Sequence, residues 1–476
     1  LVIQFYCTKK RTLKRFLNFF ESGGQLCFSF HLNISLEVAS YAFNSTTNRR
    51  ESVIICPYLY LGEANMTFVK KSADKTPIVD NVFSIVSKAK QDKQKNGSEN
   101  VIDATIGSLY GEDEKLVALD EVFNHYDAID HRTKAAYASS FSGNPDYRKA
   151  VYEWVKQDAD VKLAHSVIAT PGGSGAVSMS IETFLDAGDT LMIPDIAWGN
   201  YALMASVNNI NVERYHMFEE DHFNLNSVKE TIQKVMLKQD HICMVINDPC
   251  HNPTGYSLTK EEWKELIAFL NEVSKTHSVV LLNDIAYIDY SYQLSTSRDY
   301  METFNDISNN VMIVVEFSCS KALTSYGLRC GGAVILAQKE EAVREAEIFM
   351  EKKARATWSN IPNAAMNNFV WIVTEGKDAY MKEKQKYIDL MKKRSEIFLE
   401  EADQAGLAHY PYKEGFFVTL KMKDNAYRDA FHKALMAEHI YTVAVNKGIR
   451  VAVCSLPVAK VYGLAEKMKE IERSLN

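Results

Sequence analysis

The 476-residue sequence has no cysteine pair in a CxxC spacing and no run of 18 apolar residues free of charge. The first absence argues against a zinc site, whose thiolate ligands usually come in such pairs. The second argues against a membrane-spanning helix, which needs about 20 apolar residues. A basic excess is missing too. The chain carries 54 Lys and Arg against 61 Asp and Glu, a net charge of −7. Nucleic-acid binders usually show the opposite bias. There is no internal repeat. The eight cysteines (Cys7, Cys27, Cys56, Cys243, Cys250, Cys319, Cys330, Cys454) are scattered and few for the length. That usage fits a reducing, cytoplasmic setting.

What is present is ordinary globular composition, 46% hydrophobic and 24% charged. The length suits two or three domains, or one large α/β body with a smaller partner. Residues 1–65 differ from the rest. They hold three of the eight cysteines and no periodic pattern, and the chain begins with Leu1. "CTKKRTLKRFLNFF" is a basic cluster running into aromatics, but Glu21, Glu37 and Glu51 do not suit a transit peptide. Residues 1–65 are read as an upstream or non-native extension without a role in the chemistry, with the natural start at Met66.

Further on, "KQDKQKNGSEN" (90–100) reads as a polar loop. Short apolar runs then alternate with helical patterns. "TLMI" (190–193), "ICMVI" (242–246), "VVLLN" (279–283), "VMIVVEF" (311–317) and "GAVILA" (332–337) lack period-two alternation, as strands covered on both faces should. Between them, Trp263, Leu266, Ile267, Leu270 and Val273 follow helical spacing behind a capping box of Thr259 and Glu262. This alternation predicts a mainly parallel sheet with helices on both faces. From 363 to 406 the pattern is one long charged helix. "GFFVTLKM" and "GIRVAV" follow as strands, and together these pieces predict a second, smaller α+β domain.

Ligands of open α/β sheets sit at the carboxyl ends of the strands, and the residues there are informative. Lys321, in "SCSKALTSYGLRCGG", follows an apolar run and precedes Arg329 by eight residues. A surface lysine needs no such setting. Gly172, Gly173 and Ser174 stand at a helix start, where free N–H groups and the helix dipole attract phosphate; a plain N-cap would look the same. Arg329 can fork onto a phosphate or form a surface ion pair. Asp284 follows a buried strand, where a carboxylate is costly without a cationic partner; capping a loop is the alternative. Trp198 offers a flat face for a ring, or is a core residue.

Taken together, these stretches resemble the class I aminotransferases, which use pyridoxal 5'-phosphate. The resemblance runs through "GGSGA" (172–176), "WGN" (198–200), "HNPTG" (251–255), "DIAY" (284–287) and the Lys321 segment, in the family's order, and spans roughly 103–455. It implies an α/β fold of type I: a large domain with a mainly parallel seven-stranded sheet between helices, and a smaller α+β domain. Residues 66–117 and 386–476 would form the small domain and 118–385 the large one. By this resemblance Lys321 forms the Schiff base with the cofactor. Arg329, Ser318, Ser320 and the Gly173–Ser174 turn hold its phosphate, and Tyr137 reaches the phosphate of a neighbouring subunit. Asp284 pairs with the pyridine nitrogen. Asn252 and Tyr287 bind the ring oxygen, and Trp198 stacks on the ring. Arg450 clamps the substrate α-carboxylate, Gly107 sits on a segment that closes over substrate, and Arg355 crosses a dimer interface to a side-chain carboxylate. Tyr201 stands where aspartate-specific relatives usually carry histidine.

The implied protein is a homodimeric transaminase with shared active sites, acting on aspartate or aromatic amino acids with 2-oxoglutarate by a ping-pong cycle. It needs no metal, nucleic acid or membrane. A lyase or decarboxylase of the same fold would keep Lys321, Asp284 and Arg329. A pyridoxal-binding transcription regulator would need a DNA-binding domain ahead of the body, and residues 1–65 carry no helix-turn-helix pattern.

Overall fold

The computed structural model describes residues 68–73, 75–78 and 81–475. The proposed extension over 1–65 and the start at Met66 lie outside them. All that follows concerns the compact unit that begins at residue 74.

Helix α1 (Asn81–Asn96) opens this unit. It corrects the reading of 90–100 as a loop, since the helix runs on to Asn96. The reason is tertiary. Ile85 and Ala89 pack with Val101 and Tyr441, and Asp92 accepts from His439 and Tyr441 one turn on. Those contacts outweigh a polar composition that by itself favours no structure.

The chain then alternates. Strand β1 (Ala164–Thr170) leads into α2 (Gly172–Phe184), β2 (Thr190–Pro194) into α3 (Asn200–Val207) and β3 (Asn211–Tyr215). Strand β4 (His241–Asn247) leads through α4 (Lys260–Val273) to β5 (Ser278–Asp284). Strand β6 (Val311–Ser318) turns into the one-turn helix α5 (Cys319–Ala322) and then β7 (Gly331–Ala337). These seven strands form one sheet in the order β1-β7-β6-β5-β4-β2-β3. All pairings are parallel except those of β7, which is antiparallel to both neighbours. The missing alternation now has its cause. Met244 and Ile246 face one hydrophobic cluster and Cys243 and Val245 the other, so both faces of the sheet are covered. Each such buried side chain contributes roughly 1.5–3 kcal/mol relative to exposure.

After β7 come α6 (Glu340–Thr357), α7 (Asn363–Val373) and α8 (Lys377–Ala405). The single long helix expected over 363–406 is thus two. It breaks at Thr374, whose φ −113 and ψ −86 are not helical. Gly376 follows, where an added Cβ would lie 2.4 Å from the Trp371 ring. Strands β8 (Phe417–Lys421), β9 (Val443–Val445) and β10 (Gly448–Ala452) form a small antiparallel sheet in the order β8-β10-β9. Its residues join Ala104 and Phe398 in a third cluster.

Candidate active site

The apolar strand β6 delivers Lys321 to the carboxyl edge of the sheet. Ser318 ends the strand, and its Oγ accepts from the Ser320 N–H at 3.2 Å, which starts the tight turn of α5. Lys321 is partly buried. Its Nζ donates to the Gly107 carbonyl and lies 4.7 Å from the Tyr326 ring centre. Desolvation lowers its pKa from 10.5 to about 8, opposed by Cys454 and aided by the Arg450 and Arg329 charges. A neutral amine is therefore within reach near neutral pH.

A cradle lies beside it. Arg329 donates to Ser320 Oγ at 3.0 Å and to the Tyr326 and Pro171 carbonyls. Gly172 takes φ +73, and a Cβ there would lie 2.6 Å from Arg329 Nη2. At Gly173 an added Cβ would meet Ser318 Cβ at 3.1 Å. The glycines thus let the first turn of α2 close against Arg329 and Ser318. Backbone N–H groups, a guanidinium and two hydroxyls converge, the donor set a phosphate needs.

Asp284, the last residue of β5, is buried. Its Oδ2 accepts from the Tyr201 hydroxyl at 2.5 Å and its Oδ1 from the Ala286 N–H at 3.0 Å. Desolvation raises its pKa, and those two donors pull it back. Among the described residues, Asp284 has no salt-bridge partner, and its side chain is held by those two donors. Trp198 packs edge-on against Tyr201, ring centres 5.3 Å apart. Asn252 is fixed by donating its N–H to Asn247 Oδ1 at 2.7 Å. Its Nδ2 faces the Tyr287 hydroxyl at 3.4 Å, and burial pushes that phenol up.

Arg450, from β10, comes from the opposite side. Its Nη1 donates to Asn252 Oδ1 at 3.2 Å and its Nη2 to the Thr105 carbonyl at 2.8 Å, while the Phe417 ring lies 4.4 Å beneath it. Among the described residues, carbonyl oxygens alone accept from this buried guanidinium. It remains free to take a carboxylate.

Lys321, Asp284, Tyr287, Asn252, Arg450 and Arg329 line one cavity of about 1130 Å³. Gly107, Gly173, Ser174, Trp198, Ser318 and Ser320 line it too. Two predicted residues do not. Tyr137 is 86% exposed. Arg355 is also exposed, donates to Ser359 Oγ at 2.5 Å and lies over the Phe141 ring at 4.5 Å. Sequence reasoning missed Tyr326, whose hydroxyl accepts from the Leu109 N–H at 2.9 Å. It missed Asn247, which donates to the Asp284 carbonyl at 2.8 Å. Tyr326 stands inside the quoted Lys321 segment, so only its partner was hidden. Among the described residues no cluster could hold a metal, and no helix is long and apolar enough to cross a membrane.

The profile of the family "Aminotransferase class I and II" matches residues 99–468. Among curated proteins, the aspartate aminotransferase of Pyrococcus horikoshii is 27% identical over 212 residues, 44% of this chain and 48% of that protein. The aromatic-amino-acid aminotransferase of Paracoccus denitrificans is 26% identical over 47% of this chain and 56% of that protein. The aligned part therefore spans about half the length of these relatives. A crystal structure of an aminotransferase from Anaerococcus prevotii superposes with a TM-score of 0.82 at 34% identity, over 85% of this chain and 99% of that one. The cytoplasmic aspartate aminotransferase of Saccharomyces cerevisiae shares the fold, with a TM-score of 0.71 at 17% identity, over 85% of this chain and 98% of that one.

Proposed function

The chain belongs to the class I and II aminotransferase family, and we propose that it moves an amino group between an L-amino acid, aspartate or aromatic, and 2-oxoglutarate. The observation that carries this reading is one cavity lined by a desolvated amine, an unpaired buried guanidinium and a phosphate cradle.

Pyridoxal 5'-phosphate is the cofactor, and the residues fit it. The Gly172 turn, Ser318, Ser320 and Arg329 would hold the phosphate. Asp284 would face the pyridine nitrogen, Asn252 and Tyr287 the ring oxygen, and Trp198 one ring face. Lys321 would hold the aldehyde covalently. When bound, the cofactor supplies an electron sink for the pair left at the substrate Cα.

The chain's own residues do the rest. Arg450 takes the substrate α-carboxylate and thereby orients the Cα–H bond toward Lys321. Lys321 Nζ, freed once the substrate amine takes its place and with its pKa lowered to about 8, would remove the Cα proton and carry it across to the cofactor. Proton transfer by a positioned group of this kind is typically worth about 10²–10⁴-fold. Asp284, whose charged form the Tyr201 hydroxyl and the Ala286 N–H support against desolvation, would favour a protonated partner nitrogen. The Gly107 segment, tied to Lys321 and Tyr326, keeps water from that amine. In a homodimer with shared sites, the exposed Tyr137 and Arg355 would serve the neighbouring subunit, at the phosphate and the substrate side-chain carboxylate. A small domain of 66–117 and 386–476 around a large one of 118–385 suits the third hydrophobic cluster, which joins Ala104 to residues 398–471. A cytoplasmic setting suits the five free, buried cysteines.

Half-reactions of purified protein with aspartate, tyrosine, kynurenine and alanine, followed by the cofactor's spectrum, test this. Aspartate or an aromatic amino acid should convert the bound cofactor to its amino form, and 2-oxoglutarate should reverse it. Lys321→Ala should abolish both. Turnover retained without that lysine, or no conversion by any amino acid, overturns the reading.

A further inference from the structure

Behind the Lys321 turn lies a second lysine. Lys384, on α8, is 1% exposed, and Tyr380, one turn before it, is fully buried. Both donate to one acceptor, the carbonyl of Ala322, next to Lys321 in the chain: Lys384 Nζ at 2.5 Å and Tyr380 Oη at 2.7 Å. The Lys384 ammonium also lies 4.0 Å from the centre of the Tyr290 ring. It makes no ion pair among the described residues. Asp289, the carboxylate whose charge acts on Lys384, is engaged by Arg298 and by Trp154 Nε1.

A buried ammonium without a counter-ion is expensive. Burial lowers its pKa from 10.5 to about 7, with Asp289 opposing and Arg298 aiding. A methionine would fill the same space at lower cost. The lysine therefore gives something a methionine would not, and among the described residues its one hydrogen-bond acceptor is the Ala322 carbonyl. Helix α5 has four residues and cannot hold its own shape. The Leu323 and Thr324 N–H groups close onto the Cys319 and Lys321 carbonyls, which leaves the Ala322 carbonyl without a backbone donor. Ten residues further along α8, the fully buried Arg394 donates to the carbonyls of Tyr110 and Cys454 and pairs with Glu112. One helix thus grips the Lys321 turn and the segment that follows Gly107.

We propose that Lys384 and Tyr380 are positioning residues for Lys321, which by a double donation to the Ala322 carbonyl fix the turn that aims its amine at the substrate Cα. This rests on Lys321 being the reactive amine.

The test uses Lys384→Met and Tyr380→Phe in the full chain. Three readouts apply: steady-state kinetics, the isotope effect with Cα-deuterated amino acid, and hydrogen exchange of the cofactor-free protein by mass spectrometry. Loss of one of the two donors to the buried Ala322 carbonyl predicts about a 10-fold fall in kcat for Lys384→Met with KM nearly unchanged. The deuterium effect should rise, because proton transfer becomes slower relative to the other steps. Exchange should accelerate at Leu323 and Thr324 while α8 stays protected. Tyr380→Phe should do the same more weakly, and it decides alone if Lys384→Met does not fold. Unchanged kcat and isotope effect, or exchange that rises equally throughout α8, would overturn the proposal. A wild-type protein with no half-reaction would instead sink the proposed function. The exchange result would survive that, since it uses no cofactor.

Discussion

The Tyr201 hydroxyl donates to Asp284 Oδ2 at 2.5 Å, between residues 83 positions apart and both buried. Tyr201 is the position noted as a departure from aspartate-specific relatives. Its hydroxyl is spent on Asp284, so the departure bears on the carboxylate that would face the cofactor ring. Tyr201→Phe removes one of the two donors that oppose desolvation of Asp284. Its pKa then rises further and its negative charge is held less firmly. We expect kcat/KM to fall about 10-fold, the scale of one hydrogen bond to a charged group, for every amino donor alike. A loss confined to aspartate would show that Tyr201 selects substrate instead.

Gly172→Ala probes the phosphate cradle. The alanine would have to hold a φ near +73 and place its Cβ 2.6 Å from Arg329 Nη2. A left-handed non-glycine residue costs about 1–2 kcal/mol, and displacement of Arg329 adds to it. Cofactor titration of the apoprotein should show affinity weakened by at least about 10-fold, with little change in apoprotein stability beyond that backbone cost. Unchanged affinity would mean that Arg329 does not serve the phosphate.

Arg355 and Arg450 are expected to read different carboxylates. Arg450→Lys should raise KM for every amino acid, because a lysine loses the planar fork. Arg355→Ala should weaken aspartate and 2-oxoglutarate by roughly 10-fold or more, one charged hydrogen bond, and leave phenylalanine nearly untouched. Equal losses for all three in kinetic assays would reduce Arg355 to a surface charge held by Ser359 and Phe141.

The titration of Lys384 has a definite sign. Its folded-state pKa is lowered from 10.5 to about 7, so between those values the unfolded chain binds a proton that the folded chain releases. Stability from this group therefore rises with pH above about 7. Asp284, Glu316, Cys243, Cys250, Cys319 and Cys454 shift the opposite way, which blurs the total slope. The difference between wild type and Lys384→Met removes those shared terms. Apoprotein melting from about pH 7 to about pH 9, the span just above the Lys384 midpoint, should show wild type gaining on the variant as pH rises. A constant or shrinking difference would mean that Lys384 is not buried as a shifted amine.

The sequence by itself settled whatever is encoded over a few residues. The cradle needs contiguous glycines and hydroxyls, so "GGS" and "SCSK" announce it. Strands covered on both faces need unbroken apolar runs, so β2, β4, β5, β6 and β7 were legible, whereas β1 and β3 were not singled out. Where local chemistry was ambiguous the reading failed: residues 90–96 look like a loop until Ile85 and Ala89 meet Val101 and Tyr441, and the Thr374 break is invisible in a charged helical pattern. Only the tertiary structure decided which distant groups meet. Tyr201 finds Asp284, Arg450 finds Asn252 and Thr105, and Lys384 finds Ala322. Each pairing joins residues 62 to 345 positions apart. Periodicity and propensity act over one or two turns of chain. A hydrogen bond across such a span exists because packed layers fix its two ends within 3.5 Å, and no local pattern records that.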